Sequence, residues 1–252
     1  MTIKETLNQG KKILTENNID EASLISRMLL SHVLKCKKEE LLIKQDNELK
    51  ERQAQVFLDR IERISKGYPI QYITNSKEFM GMDFYVDENV LIPRADTEIL
   101  VEEVISLVKT NNYKEVLELC IGSGAIAISL AKNLEGINIT GTDISEEALR
   151  VAKKNEHKLL EKKKIHFIKS DMFENIDKKY DLLVSNPPYI KTKDIKNYNL
   201  EYEPYIALDG GGDGLKFYRM IIEEGYKYLN KDRNYCTRDW LWSKTRCNTN
   251  CK

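Results

Sequence analysis

The sequence has no long apolar run and no excess of charge of either sign. Its 252 residues contain no stretch of about 18 consecutive apolar residues. The N-terminal segment that begins Met1 to Glu5 does not have the apolar core of a signal peptide. We therefore expect a cytoplasmic protein without a membrane partner. Lysine plus arginine and aspartate plus glutamate number 40 each, so the global basic field that drives nucleic-acid binding is missing. We expect no stable nucleic-acid partner.

Cysteine and proline are scarce, with five of each. The cysteine count is odd and no Cys-x-x-Cys pair occurs, which gives only weak support to a disulfide framework or a zinc site. We predict no bound metal. The chain is long enough for one large domain or two small ones with a substantial core.

Apolar residues at helical spacing dominate the first 72 residues, as in Leu24, Ile25, Met28, Leu29 and Val33. No glycine-rich loop or ligand cluster occurs there, so residues 1–72 are predicted to form a small all-α domain. Gly81 then lies between two apolar arms, which predicts a β-hairpin within a linker, residues 73–93.

Strand and helix patterns alternate from residue 94 to 230. Strands are predicted at 116–121, 137–142, 165–168 and 182–184, with helices at 125–133 and 146–160. Such alternation is typical of a Rossmann-like α/β domain with a largely parallel sheet, whose ligands bind at the carboxyl ends of the strands.

Glycines follow the first of these strands, in the segment Glu118-Leu-Cys-Ile-Gly-Ser-Gly124. They let the backbone approach a bound group closely and leave helix N–H groups free. Asp143 ends the next strand, where a carboxylate accepts from ribose hydroxyls. Gly122-x-Gly124-x-x-Ala127 also fits a dinucleotide fingerprint, so an NAD enzyme is an alternative at this point.

A rigid turn, Asn186-Pro187-Pro188-Tyr189, follows the apolar run 180–184. The prolines carry no N–H, so the main chain presents acceptors. Asn186 adds a side-chain carbonyl and amide, and Tyr189 offers a flat face. On position alone a plain chain turn is the better explanation, but the residue types suit a planar –NH2 group. With Asp171 placed as an acceptor for an adenine amine, this turn favours S-adenosylmethionine over NAD.

The series of motifs resembles one family. Asn-Pro-Pro-Tyr with Glu-Leu-x-x-Gly-Ser-Gly is similar to the amino-methyltransferases. The remaining motifs resemble the release-factor glutamine methyltransferase family over about residues 1 to 230. They are Phe79-x-Gly-x-x-Phe84, Leu91-Ile-Pro-Arg94 with Asp96-Thr-Glu98, Ser185 to Ile190, Glu203-Pro204, and Ala207 to Leu215 with Tyr218-Arg219.

The resemblance implies an S-adenosylmethionine-dependent protein-glutamine methyltransferase. Its implied substrate is the Gly-Gly-Gln glutamine amide of class 1 peptide-chain release factors, bound in part by the helical domain. Implied cofactor-binding residues are Glu118, Cys120, Ile121, Gly122, Ser123, Gly124, Asp143, Asp171, Met172 and Asn186. Implied catalytic residues are Asn186, Pro187 and Tyr189, and Pro188 joins them in substrate binding. Cys120 replaces the family's usual glycine and Met172 a frequent aromatic residue, and we expect both changes to weaken cofactor binding.

Other functions stay open. A sister enzyme would methylate a ribosomal-protein glutamine, and a DNA amino-methyltransferase would hold a flipped base amine in a similar turn. The DNA enzyme would need a DNA-reading domain and a basic cleft, and neither is evident. An inactive binding protein is the non-enzyme alternative. We expect a monomer.

The tail, residues 231–252, lacks the apolar pattern expected of a fifth strand. It holds both tryptophans and three of the five cysteines. We hypothesise a reading-frame shift, because the single tryptophan codon read one base later gives glycine at Trp240 and Trp242, within an apolar strand. On this hypothesis the tail is aberrant and the C-terminal strands of the sheet are missing or altered. Sequencing the coding DNA tests it.

Overall fold

The computed structural model describes residues 1–162, 165–198, 200–239 and 244–248. The chain divides into two compact units, Met1–Asn75 and Ser76–Lys252. Each unit has its own hydrophobic core. None of the described helices combines the length and apolar character that crossing a bilayer requires.

The first unit is all helical. Its helices are α1 Ile3–Glu16, α2 Ala22–Leu34, α3 Lys38–Ile43, α4 Glu51–Ser65 and α5 Ile70–Thr74. Helix α1 begins at a reciprocal cap, in which the Glu5 N–H donates to Thr2 Oγ1 and the Thr2 N–H donates to Glu5 Oε2. The core includes Leu14, Leu29 and Phe57, all fully buried. Helix α5 carries this helical unit two residues past residue 72, the predicted end of the all-α domain.

The second unit is a Rossmann-like α/β domain, as predicted. Strands β1 Lys77–Phe79 and β2 Met82–Phe84 form a hairpin around Gly81. The remaining elements are α6 Thr97–Asn111, β3 Glu115–Leu119, α7 Ala125–Asn133, β4 Asn138–Asp143, α8 Glu146–Leu159, β5 Ile165–Lys169, β6 Tyr180–Ser185, α9 Lys216–Glu224, β7 Leu229–Asp239 and β8 Lys244–Asn248.

The main sheet has the strand order β5-β4-β3-β6-β7-β8, and only β8 runs antiparallel to its neighbour. Both of its faces are covered. Along β3, Val116 joins the core cluster that holds α6, α7 and α8 residues, while Leu117 joins the cluster on α9. This alternation is the two-residue period of a strand.

The strand register aligns the carboxyl ends of the central strands. Leu119 of β3 lies opposite Thr142 of β4 on one side and Ser185 of β6 on the other. Cys120, Asp143 and Asn186 are the next residues of their strands. These three residues therefore lie side by side at the carboxyl ends of the central strands, and this is the position of the candidate site.

We expected the C-terminal strands to be missing or altered, and the first of these two alternatives is wrong. Strand β7 pairs in parallel with β6, with a register shift between Tyr180 and Leu182, and β8 pairs with β7. Sequence pattern failed here because a backbone ladder needs only the N–H and C=O groups of both strands, not apolar side chains. Cys236 is fully buried and disulfide-bonded, contrary to the weak support given to disulfides. The frame-shift hypothesis stays a prediction.

Candidate functional site

A cavity of about 240 Å³ opens at the carboxyl ends of the strands. Most of the sequence-predicted site residues line it: Glu118, Cys120, Ile121, Gly122, Ser123, Asp143, Asp171, Met172, Asn186 and Pro188. Three others do not line it: Gly124, Pro187 and Tyr189. The walls also include residues that sequence reasoning left out of the site, among them Leu91, Pro93, Lys216 and Phe217.

The turn between β3 and α7, residues 120–124, forms the back of this cavity. Its backbone is left-handed at Cys120, Gly122 and Gly124, with φ of 57°, 54° and 81°. Glycine adopts this conformation at no steric cost, whereas a residue with a Cβ is strained by about 1–2 kcal/mol. Cys120 therefore carries strain at a cavity wall.

Asp143 fastens this turn to β4. Its Oδ2 accepts from the Gly122 N–H at 2.9 Å, and its Oδ1 accepts from the Ser145 N–H at 2.9 Å. Burial raises the pKa of the carboxyl, and the N–H donors, those of Ser145 and Gly122 included, oppose the rise. Each carboxylate oxygen keeps a second lone pair. Asp143 can thus accept hydroxyl hydrogens from a ligand while it holds the turn.

Glu118 links β3 to the first turn of α7. It is almost fully buried, and its Oε2 accepts from the Ala127 N–H at 2.8 Å. Desolvation raises its pKa well above the ordinary value, against the lowering effect of that hydrogen bond. Burial therefore disfavours the ionised form of this carboxyl relative to an exposed one.

Two sulfur atoms meet at the same wall. Cys120 Sγ lies 3.9 Å from Met172 Sδ, and Met172 also has a left-handed backbone, with φ of 45°. Burial is the main cause that raises the pKa of the Cys120 thiol. The thiol is thus protonated at neutral pH and acts here as a small apolar group. Asp171, beside Met172, is exposed and lines the cavity.

Asn155 is a supporting residue that sequence reasoning missed. It lies in α8 with no exposed surface, and its Nδ2 donates to the Ser123 and Tyr85 carbonyls, each at 2.9 Å. Its Oδ1 accepts from the Tyr85 N–H at 2.7 Å. Asn155 thus ties the turn of residues 120–124 to the segment after the hairpin. The available signal was a polar residue on the buried stripe of α8.

The Asn-Pro-Pro-Tyr turn follows β6 directly. Ser185 Oγ donates to the Leu119 carbonyl at 2.9 Å, which fixes the start of the turn to β3. Pro187 and Pro188 are buried, and no described peptide bond is cis. Asn186 Oδ1 is buried and has no hydrogen-bond partner among the described residues. Because Asn186 lines the cavity, this acceptor is available to a ligand donor.

A buried carboxylate holds the opposite wall. Glu203 Oε2 accepts from the Ile92 N–H at 3.0 Å, and Glu203 Oε1 pairs with Arg94 Nη2. The Glu203 side chain is 3% exposed and that of Arg94 is 33% exposed. Leu91 and Pro93, which flank Ile92, line the cavity, so Glu203 positions this wall.

The polar groups that line the cavity include three hydrogen-bond acceptors: the carboxylates of Asp143 and Asp171 and the side-chain carbonyl of Asn186. Such a set suits a ligand with several hydroxyl or amine hydrogens. Among the described residues, no cluster of histidine, cysteine, aspartate and glutamate is arranged to hold a metal ion.

Two family models match the chain. The PrmC N-terminal domain model matches residues 5–74, and the methyltransferase small domain model matches residues 95–201. A release factor glutamine methyltransferase of Clostridium acetobutylicum is 42% identical over 235 residues, which cover 91% of this chain and 82% of that protein. A release factor glutamine methyltransferase of Fusobacterium nucleatum is 40% identical, covering 92% of this chain and 66% of that protein.

A solved structure shows a related fold. The catalytic domain of hMettl16, in complex with the MAT2A 3'UTR hairpin 6, superimposes with a TM-score of 0.50 at 17% identity. The match covers 76% of this chain and 69% of that one. At this identity the likeness concerns the fold alone.

Proposed function

The chain belongs to the release factor glutamine methyltransferase family, and from that premise we propose its reaction. It transfers the methyl group of S-adenosylmethionine to the side-chain amide nitrogen of a glutamine. The glutamine is that of the Gly-Gly-Gln motif in class 1 peptide-chain release factors.

The unpaired carbonyl of Asn186 carries this proposal. A buried acceptor without a partner costs about 1–3 kcal/mol of stability. That cost is recovered when a ligand N–H fills the position. A primary amide offers two such hydrogens, so Asn186 Oδ1 accepts one and the Pro187 carbonyl accepts the other. Tyr189 packs against the planar amide.

The cavity residues fit the cofactor. Asp143 keeps free lone pairs, which we assign to ribose hydroxyls, and Asp171, which lines the cavity, is our candidate acceptor for the adenine amine. In this proposal the turn of residues 120–124 supports the amino-acid part. When bound, S-adenosylmethionine supplies a methyl group on a positively charged sulfur. The acidic and carbonyl groups around the cavity favour that charge.

The chain contributes orientation rather than a strong base. An amide nitrogen is a weak nucleophile, and holding it by both hydrogens removes much of the entropic part of the barrier. The N–C bond forms as the S–C bond breaks, and the amide nitrogen then releases one proton to solvent. Neither Glu118 nor the Cys120 thiol is needed as a base in this scheme.

Methyl transfer from labelled S-adenosylmethionine to a purified class 1 release factor tests the proposal. The factor is compared with its Gln→Ala version in the Gly-Gly-Gln motif. We expect label on the unmodified factor alone. For Asn186→Ala, kcat/KM should fall on the order of 100-fold, because the acceptor amide loses its side-chain partner. Asn133→Ala, on the exposed end of α7, is the matched control and should behave like the wild type.

The other outcomes discriminate between the alternatives. Label on a purified ribosomal protein, with none on the release factor, would identify the ribosomal protein as the substrate instead. Label on DNA would show that the substrate is a nucleic acid and not a protein. Calorimetric binding of S-adenosylmethionine with no transfer to any acceptor would identify an inactive binding protein.

A further inference from the structure

The loop of residues 209–215, Asp-Gly-Gly-Gly-Asp-Gly-Leu, packs its backbone against Tyr189. We call it the glycine loop. A Cβ built on Gly210 would lie 2.7 Å from Tyr189 Cα and 2.8 Å from its carbonyl carbon. A Cβ on Gly214 would lie 2.5 Å from the Tyr189 carbonyl oxygen. Ordinary van der Waals contacts of a Cβ begin at 3.4 Å. The close approach of Tyr189 therefore leaves no room for a side chain at either position, which explains why both residues are glycine.

Backbone hydrogen bonds lock the loop to the chain that follows Tyr189. The Ile190 N–H donates to the Leu208 carbonyl at 2.9 Å, and the Gly210 N–H donates to the Ile190 carbonyl at 2.8 Å. The Thr192 N–H continues the ladder to the Gly211 carbonyl at 3.0 Å. Tyr189 therefore has a rigid support on its C-terminal side.

Asp209 reinforces this ladder through its side chain. Its Oδ1 accepts from Thr192 Oγ1 at 2.6 Å and from the Gly211 N–H at 3.0 Å. The hydrogen bond from Thr192 is the largest cause that lowers the pKa of Asp209. Asp209 is thus ionised at neutral pH, and it ties both strands of the ladder together.

The glycine loop also reaches the cavity wall. The Lys216 N–H donates to the Gly210 carbonyl at 3.1 Å, and Lys216 and Phe217 line the cavity. The same glycine thus contacts Tyr189 on one side and fixes the start of α9 on the other. Its position determines the distance between the Asn-Pro-Pro-Tyr turn and this wall.

We propose that the glycine loop sets the position of Tyr189, and that Gly210 is the positioning residue through which it acts. The inference rests on the proposed function in one respect, the role of Tyr189 in holding the acceptor amide. A Cβ at Gly210 would need about 0.7 Å of movement to restore ordinary contact, the difference between 3.4 and 2.7 Å. A misplacement of about 1 Å costs up to about 100-fold in rate.

The matched pair Gly210→Ala and Gly212→Ala tests this inference. Gly212 lies in the same loop, is exposed, and has no atom within 4 Å of a built Cβ. Neither glycine has a φ in the left-handed region, so alanine strains the backbone at neither position. We expect Gly210→Ala to lower kcat on release factor about 10- to 100-fold, with the calorimetric Kd for S-adenosylmethionine within about 2-fold of wild type. Gly212→Ala should match the wild type in both.

A spectroscopic measurement separates this inference from the proposed function. Labelling with 15N-tyrosine gives amide signals for the 13 tyrosines, and Tyr189→Phe identifies the relevant one. The Tyr189 signal should move in Gly210→Ala and stay in place in Gly212→Ala. If the wild type methylates no release factor, the proposed function fails, while this signal still decides whether Gly210 positions Tyr189.

An unmoved Tyr189 signal in Gly210→Ala, or a kcat equal to that of Gly212→Ala in an active enzyme, would overturn the inference. Thr192→Val serves if Gly210→Ala does not fold. It removes only the hydroxyl that donates to Asp209. It should shift the same Tyr189 signal and lower kcat by a smaller factor, and a variant without either effect would equally overturn the inference.

Discussion

Replacing Asn155 with alanine removes three hydrogen bonds in one step. The Tyr85 N–H, the Tyr85 carbonyl and the Ser123 carbonyl each lose their partner in α8. A hydrogen bond of this kind contributes about 1 kcal/mol, and a buried group left unpaired costs about 1–3 kcal/mol. Ser123 is 4% exposed, whereas Tyr85 is half-buried and recovers some hydration. We therefore expect a loss of about 3 kcal/mol in the free energy of unfolding.

Urea denaturation measures this loss. With an m-value of about 2–3 kcal/mol/M, the midpoint should fall by about 1 M urea. Asn133→Ala is the control, because Asn133 also lies in a helix and donates to the Ser129 carbonyl at 2.8 Å, but is exposed. Both variants gain the helix propensity of alanine, so the difference between them isolates the buried hydrogen bonds.

The same variant should weaken cofactor binding, since the Ser123 carbonyl anchors the turn of residues 120–124. We expect the calorimetric Kd for S-adenosylmethionine to rise about 10-fold, which corresponds to about 1.4 kcal/mol. A midpoint equal to that of Asn133→Ala would refute the energetic argument. A normal midpoint loss with an unchanged Kd would refute the link from Asn155 to the site.

Two further predictions concern buried carboxyl groups. Arg94→Ala leaves Glu203 buried without its cation and should lower the free energy of unfolding, measured in urea, by about 2 kcal/mol. Lys44→Ala removes an exposed ion pair and should leave the free energy of unfolding unchanged. Equal losses in the two variants would contradict the expected difference between buried and exposed pairs. Burial raises the pKa of Glu118, so its stabilising contribution is complete at low pH and is lost as the pH rises through the folded-state pKa. Glu118→Gln keeps an oxygen for the Ala127 N–H and should gain stability relative to the wild type as the pH rises above about 4.3, the ordinary carboxyl pKa, whereas a pH-independent difference would contradict this.

The elements that sequence predicts well are those with a full period of apolar residues. Helix α7 lies at the predicted residues 125–133, and α8 ends one residue earlier than predicted. Strand β6 is predictable because all six of its residues are buried and four of them are apolar. Helix α5 has five residues and offers no such pattern.

Strand β7 shows a different limit. Its formation depends on the free edge of β6, a partner some 50 positions earlier in the chain, rather than on its own composition. Local propensity contains no information about that edge. The polar sequence after residue 230 therefore predicts no strand, although the backbone pairing with β6 is extensive.

The candidate site follows the same division. Its main residues follow strand ends, and a parallel sheet brings such positions together, so Gly122, Asp143 and Asn186 were within reach of sequence reasoning. The support of Asn155 for the turn is a three-dimensional contact between residues 32 positions apart. The close approach of Gly210 to Tyr189 is likewise visible only once the backbone is built.

The place of β6 between β3 and β7 has a consequence for synthesis on the ribosome. Residues 115–185 supply β3 to β6 before β7 exists, and 54 further residues separate Ser185 from Asp239. At about 5–20 residues per second, their translation takes roughly 3–11 s. During that interval the outer edge of β6 presents unpaired N–H and C=O groups on a strand of apolar side chains. The nascent chain thus exposes an unpaired strand edge until its last strands arrive, and part of the cavity wall, Lys216 and Phe217 included, is translated during the same interval.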